Sequence, residues 1–528
     1  MKSDDKRNLI APARISRRGF LQSTAATGVA AAGLSTGLMT GAAYAEPKRG
    51  GHFRMGKGHG QTSDTLDPGT WTNGFVIPLG FGIHGYMTQI STAGSVEPNV
   101  AESWEASADA SVWRFKLRSG LTFHDGRAVT PADVIASLNH HRGEESTSAA
   151  GPLVAQITDM SAEGDTVVVT LTGGNADFPA TLADYHLPVC PADGDGIDWK
   201  SGNGCGPYKL VEFDPGVIAR LERNENDWTD ERGFFDSIDM VVLIDPNART
   251  SALVSGDVHA IDKVDPKTAA LLGRQPGVTI ERTDGTQHYT FAMSTNKDPF
   301  TDRNVRLALK HAINRQELVD KILFGYGTVG NDHPIGRGQK YFNTELAQTP
   351  YDPDKAKFYL REAGLDSLSV SLSAADAAFP GAVDAAVLFQ NSAGAAGIDL
   401  DVVREPNDSY WSDVWMQKSF SAVYWGGRFT EDQMFATAYE SGVAWNDTFW
   451  SNARFDELLV AARAELDEDK RRAMYYEMQE IVNQDGGVIV PMFASYIFAT
   501  SDGVAHDEMM ATNWDADGER WMERWWFA

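Results

Sequence analysis

From residue 46 to the C-terminus, short segments with strand patterning are followed again and again by helices that carry their own start signals. That alternation confines the chain to the α/β class. Trp113, Phe115 and Leu117 alternate with polar residues, Val211 and Phe213 do the same, and Thr166–Leu171 is rich in β-branched side chains. Each is expected to be a strand. Thr130-Pro131-Ala132-Asp133 supplies an N-cap hydroxyl, a proline at the first helical position and an acid to answer the cap. Asp352-Pro353-Asp354 repeats the device, and Gly364 ends that helix. Val305, Ala308, Leu309, Ala312 and Ile313 form one helical stripe, after which Asn314 and Glu317 read as the capping box of the next helix; Met474, Met478, Ile481 and Val482 form another stripe. Such stripes face a core. With no repeat, coiled coil or low-complexity block to organise it otherwise, a chain of 528 residues is too long for one core, and two or three domains are expected.

The N-terminus reads as an address. Lys2, Lys6, Arg7 and Arg14 precede Ser16-Arg17-Arg18-Gly19-Phe20-Leu21, a twin-arginine sequence, and an Ala/Gly-rich run follows to Ala43-Tyr44-Ala45. Residues 1–45 are therefore expected to be a signal peptide cleaved before Glu46, releasing a soluble protein into the periplasm by the Tat machinery. The whole chain carries a net charge of −27; residues 1–45 hold six Lys/Arg against two Asp/Glu, which leaves −31 on the remainder. That sign opposes nucleic acid and anionic lipid as partners. The only cysteines, Cys190 and Cys205, form a disulfide candidate in an oxidising compartment, the alternative being two separate buried thiols.

A longer pattern resembles a known family. Pro98-Asn99-Val100-Ala101-Glu102-Ser103-Trp104, Trp113 to Arg118, Phe123-His124-Asp125-Gly126 and Thr130 to Val134 are similar to the signature of extracellular solute-binding proteins of family 5, the peptide, nickel and opine-binding class. Leu66-Asp67-Pro68, Gly206-Pro207-Tyr208-Lys209-Leu210, Glu222-Arg223-Asn224, Pro299-Phe300, Val305 to Arg315, Tyr351-Asp352-Pro353 and Tyr424-Trp425-Gly426 follow in family order. The resemblance implies a two-lobed periplasmic-binding-protein fold (type II, cluster C-like) with mixed sheets and a hinge crossed twice. Lobe I would be residues 46–287 plus 497–528, with an inserted subdomain, and lobe II residues 293–493, with crossings near 288–293 and 493–499. It further implies a monomer that encloses a small-molecule ligand and hands it to an ABC transporter permease. Energy would come from a separate ATPase, since the chain has no G-x-x-x-x-G-K-[ST] loop.

At Trp425-Gly426-Gly427-Arg428 an arginine stands where peptide-binding members commonly carry an aspartate for the ligand's amino group. A guanidinium there suits a carboxylate or phosphate, unless Arg428 instead pairs with Glu431 or Asp432 at the surface. Trp425, Trp71, Tyr289 and Trp445 are the aromatic candidates for a ligand wall. No catalytic residue, metal ligand or cofactor is expected. Gly33-Leu34-Ser35-Thr36-Gly37 matches G-x-S-x-G but lies in the signal segment, no H-E-x-x-H or paired C-x-x-C occurs, and His140 and His141 are merely adjacent. A peptide-binding chaperone and, more remotely, a secreted hydrolase are the competing classes.

Overall fold

The computed structural model describes residues 46–143 and 146–528; the expected signal peptide, with its G-x-S-x-G match, lies outside them. One mixed sheet of eleven strands runs through the molecule. In chain order these are β1 (His52–Lys57), β2 (Tyr208–Asp214), β3 (Ile218–Arg223), β4 (Ser237–Val242), β5 (Ala260–Ile261), β6 (Val278–Met293), β7 (Gly327–Val329), β8 (Leu368–Ala374), β9 (Ile398–Arg404), β10 (Phe420–Trp425) and β11 (Val488–Ser501). Their spatial order is β2-β3-β4-β1-β5-β11-β6-β10-β8-β9, with β7 against β11. β1 lies parallel to β4 and β5, and β8 parallel to β9, while β6 is antiparallel to both neighbours.

The two longest strands sit in the middle of that order and belong to two sets of cores. β6 pairs with β11 from Val278↔Ser501 to Asp284↔Ser495, loses register, and resumes at His288↔Phe493. Before the break, Phe498 packs with Phe53, Met55 and Trp521, and Ile497 and Ala499 with Leu253 and Leu272. Beyond it, Phe291, Met293, Ile489 and Met492 pack with Leu309, Leu372 and Phe389. Each such fully buried Leu or Phe contributes roughly 1.5–3 kcal/mol.

A separate antiparallel sheet, ordered Ala101–Ala106, Val112–Leu117, Thr166–Leu171, Ile157–Glu163, buries Trp113, Phe115 and Leu117 on one face as their alternation predicts. Helix α1 (Pro131–His140) covers it through Val134 and Leu138, and its start is the expected capping box between Thr130 and Asp133. The helices α2 (Arg303–Ala312), α3 (Arg315–Ile322) and α4 (Pro353–Glu362) bury the stripes read from the sequence, and Gly364 follows α4 at φ 75°. Asn314 caps α3 by accepting from the Glu317 N–H at 3.3 Å. The reciprocal arm differs: Glu317 takes the Asn314 side-chain amide at 3.5 Å. Helices α5 (Glu431–Ala438), α6 (Ala453–Ala464) and α7 (Glu468–Asp485) build another core, into which Met478 and Val482 point. Among the described residues no helix is long and apolar enough to cross a membrane.

Candidate functional site

β10 ends at Trp425, and the chain turns through residues 426–429 before Thr430 caps α5, its hydroxyl accepting from the Gln433 N–H at 3.2 Å. Gly427 has to be glycine, because a Cβ there would lie 1.8 Å from Thr286 Oγ1 on β6. This loop forms one wall of a cleft whose other wall is the C-terminal stretch 511–520. Three adjoining cavities, of about 60, 670 and 340 Å³, share those two walls. Phe429 and Thr430 face Ala511 and Asn513 in the smallest. Arg428 and Trp445 share the largest with Trp514 and Arg520, and Gly426 and Gly427 meet Trp514, Asp515 and Glu519 in the third. The larger volumes suit a small ligand.

Arg428 lines the largest cavity and is half-buried. Its Nη1 donates to the carbonyls of Gly426 at 3.1 Å and Gly427 at 3.4 Å. Neither acid weighed as a surface partner holds it. Glu431 accepts the Tyr341 N–H at 2.7 Å, and Asp432 is held by Arg463 at 3.0 Å. Burial lowers the guanidinium from its usual value, opposed by the Tyr185 hydroxyl, yet so basic a group stays charged. Trp445 is half exposed on the same cavity. Trp425 lies beneath it, 6% exposed, with ring centroids 6.2 Å from Trp445 and 6.5 Å from Trp415, so it braces the wall rather than forming it. Asp447 sits among these indoles, accepting from Trp415 Nε1 at 3.2 Å, and burial pushes its carboxyl up to about 6.

Two expected wall residues belong to the core instead. Trp71 is buried, donates Nε1 to the Thr65 carbonyl at 3.0 Å, and fills the space over Gly80 that a Cβ would occupy. Extended backbone turns the next side chain the other way, and Thr72 lines both larger cavities. Tyr289 stacks on Phe379 at 4.2 Å inside the core; β6 borders the cleft two residues earlier, at Gln287.

Under the third cavity lies a buried ionic network that sequence reading missed. Lys57 Nζ is 2.8 Å from Asp262 and 2.9 Å from Glu519; Lys57 and Asp262 are wholly buried, and Glu519 reaches the cavity with one edge. Burial pushes Glu519 up to about 8 against the pull of Lys57, and raises Asp515 to about 6. Ala516, Asp517 and Glu519 all sit at positive φ, between 42° and 61°. Strain of this kind, of order 1–3 kcal/mol per residue, persists only where surrounding contacts over-determine it, and it recurs at ligand clamps.

Residues 95–447 match the family model described as bacterial extracellular solute-binding proteins, family 5 Middle. The chain belongs to that family. It is 26% identical to "Di/tripeptide-binding protein 2" of Pseudomonas aeruginosa (strain UCBPP-PA14), over 79% of this chain and 85% of the relative. HbpA2 from Haemophilus parasuis superposes with a TM-score of 0.77 at 19% identity, covering 88% of this chain and 98% of its own. AgaA from A. tumefaciens R10, solved with agropinic acid, superposes at 0.69 with 23% identity, covering 90% and 99%. As a family 5 member the chain has a two-lobed α/β binding-protein fold, and residues 426–430 and 511–520 are the stretches that line all three cavities.

Cys190 and Cys205, the disulfide candidate of this family 5 chain, are both buried free thiols in this structure. Cys190 Sγ faces His84 Nδ1 at 3.9 Å, and Cys205 Sγ fills the space where a Cβ on Gly85 would be. Burial raises both thiols, Cys205 to about 12, so neither is nucleophilic at neutral pH. Protein denatured without reductant is expected to release two thiols and native protein none; a count of zero after denaturation would show a bridge. No group of three or more His, Cys, Asp or Glu among the described residues is placed to hold a metal. His140 and His141 bind Asp67 and Ser148, each at 2.7 Å.

Proposed function

We propose that this protein captures a small ligand with an anionic group between two lobes and delivers it to the permease of an ABC importer powered by a separate ATPase. Residues 46–287 with 497–528 form one lobe and residues 293–493 the other, with the chain crossing between them near 288–293 on β6 and 493–499 on β11, just beyond the loss of register between Asp284 and His288. The protein works as a monomer in the periplasm after Tat export, and it binds its ligand without transforming it. The observation that carries this reading is the half-buried Arg428 guanidinium, turned to a cleft of about 670 Å³ with only its own loop's carbonyls as partners. A ligand touching both walls favours the closed arrangement by its differential affinity, and closure is what a permease can read. The names of the relatives, a di/tripeptide binder and a protein solved with agropinic acid, support short peptides or opines. A chaperone for long unfolded chains fits cavities of this size less well.

Native mass spectrometry of protein taken from its host's periplasm, followed by denaturation, is expected to release one defined small anion. Arg428→Gln should then weaken binding of that compound roughly 10- to 100-fold, the worth of a charge-assisted hydrogen bond. Unchanged affinity in the variant, or release of a mixture of long peptides, would overturn the proposal.

A further inference from the structure

Arg520 is the other guanidinium on the largest cavity, and it comes from the opposite wall. It is 4% exposed, and Nη1 donates to Glu523 Oε2 at 2.5 Å, but Nη2 is buried with no hydrogen-bond partner. Buried side-chain donors are rarely left in that condition. The guanidinium carbon Cζ lies 4.0 Å from the centroid of the Phe81 ring, which also lines the cavity, a cation–π contact that helps hold the group in place. Glu523 is shared with Arg232, whose Nη1 reaches it at 3.1 Å, so it only partly offsets the Arg520 charge.

The acids on the same cavity are already engaged. Asp177 binds Arg471 at 2.6 Å, Asp432 binds Arg463 at 3.0 Å, and Asp184 binds His186 at 2.7 Å. The cavity therefore offers two guanidinium groups from two walls, while two of its three carboxylates are paired with arginines and the third hydrogen-bonds His186. The three non-glycine residues at positive φ between 516 and 519 immediately precede Arg520 and fix its approach. We infer that Arg520 is a second anion contact, so that the ligand carries two anionic groups, one for Arg428 and one for Arg520. Resting on the cleft function proposed above, this narrows the ligand to a molecule with two anionic groups, such as a dicarboxylate or a short peptide whose acidic side chain adds to its terminal carboxylate. Two charged anchors on separate walls would also make closure depend on both ends of the ligand.

The test uses matched pairs that differ by one charge at nearly constant shape, Ala-Glu against Ala-Gln and glutarate against glutaramate, titrated by calorimetry into the mature protein. In at least one pair the two-carboxylate member is expected to bind about tenfold or more tightly than its amide. Arg520→Gln should reduce that member to the affinity of its amide and leave the amide unchanged, while Arg520→Lys, which keeps charge and packing, should retain part of the preference. Arg428→Gln should weaken both members of the pair. Equal binding within both pairs, a preference undiminished in Arg520→Gln, or no binding by either two-carboxylate member would overturn the assignment. If Arg428→Gln alone were silent, the cleft function would fail while the Arg520 contact stood.

Discussion

Lys57→Met is expected to lower stability by about 3–5 kcal/mol at pH 7, because it leaves the buried Asp262 carboxylate without its cation and takes from Glu519 its hydrogen-bond partner. The lysine is wholly enclosed, with 2.8 and 2.9 Å contacts to the two acids, and methionine matches its length closely enough to avoid a large cavity. The loss would therefore report electrostatics rather than packing.

The sign of its pH dependence can be derived. In the wild type, burial lifts Glu519 from an ordinary 4.5 to about 8, so its contribution is full below 4.5 and lost as pH rises through 8. Asp262 is depressed, chiefly by Lys57 working against its burial, so its contribution is present above 3.8 and lost as pH falls. Removing the cation lifts Asp262 from its depressed value and raises Glu519 further. The variant's folded state then holds more protons than the wild type's, and its deficit grows as pH rises from 5 to 8. Urea denaturation at several pH values measures this. A deficit under about 1 kcal/mol that does not change with pH would mean that water reaches the network and screens it.

The difference between what the chain reveals in sequence and what only the fold reveals lies in the range of the interactions. Thr130-Pro131 and Asp352-Pro353 start helices by contacts within one turn, and the alternation at Trp113, Phe115 and Leu117 needs only a pleated backbone, so these were readable. The loop at Trp425-Gly426-Gly427-Arg428 stood out only through the family resemblance and not through any local rule; in the fold it lines the cavities, with Gly427 packed close to Thr286 on β6. Side-chain direction was not readable. Trp71 and Thr72 are neighbours with opposite fates, and a strand that borders the cleft at Gln287 has entered the core by Tyr289. The Lys57–Glu519 contact joins residues 462 positions apart, and nothing local to either marks it. Arg520 sits in a stretch with no period, fixed by left-handed backbone at non-glycine residues, which sequence rules treat as improbable.

Arg471→Met should cost roughly 1–3 kcal/mol, since it takes a charged hydrogen-bond partner from the half-buried Asp177, and should also change how the cleft opens. Arg471 lies on α7, 4% exposed, with its guanidinium 2.6 Å from Asp177, its Nε donating to the Ala462 carbonyl at 2.9 Å, and the rings of Tyr341 and Tyr475 each 5.5 Å away. Beside it the Ala176 N–H donates to the Arg463 carbonyl at 2.7 Å, and a Cβ on Gly174 would fall 2.8 Å from that of Ala464. These contacts tie residues 174–177 to α6 and α7, that is, one proposed lobe to the other at a place remote from β6 and β11. A tie there opposes separation of the lobes. Methionine keeps the packing against the tyrosines but leaves Asp177 without its cation, and Asp177 borders both the small and the largest cavity. The ligand-free variant is expected to melt earlier and to show a larger radius of gyration by small-angle scattering, and saturating ligand should restore the compact form through its own contacts with both walls. An unchanged radius with lowered stability would mean that the tie holds the fold together without governing the cleft.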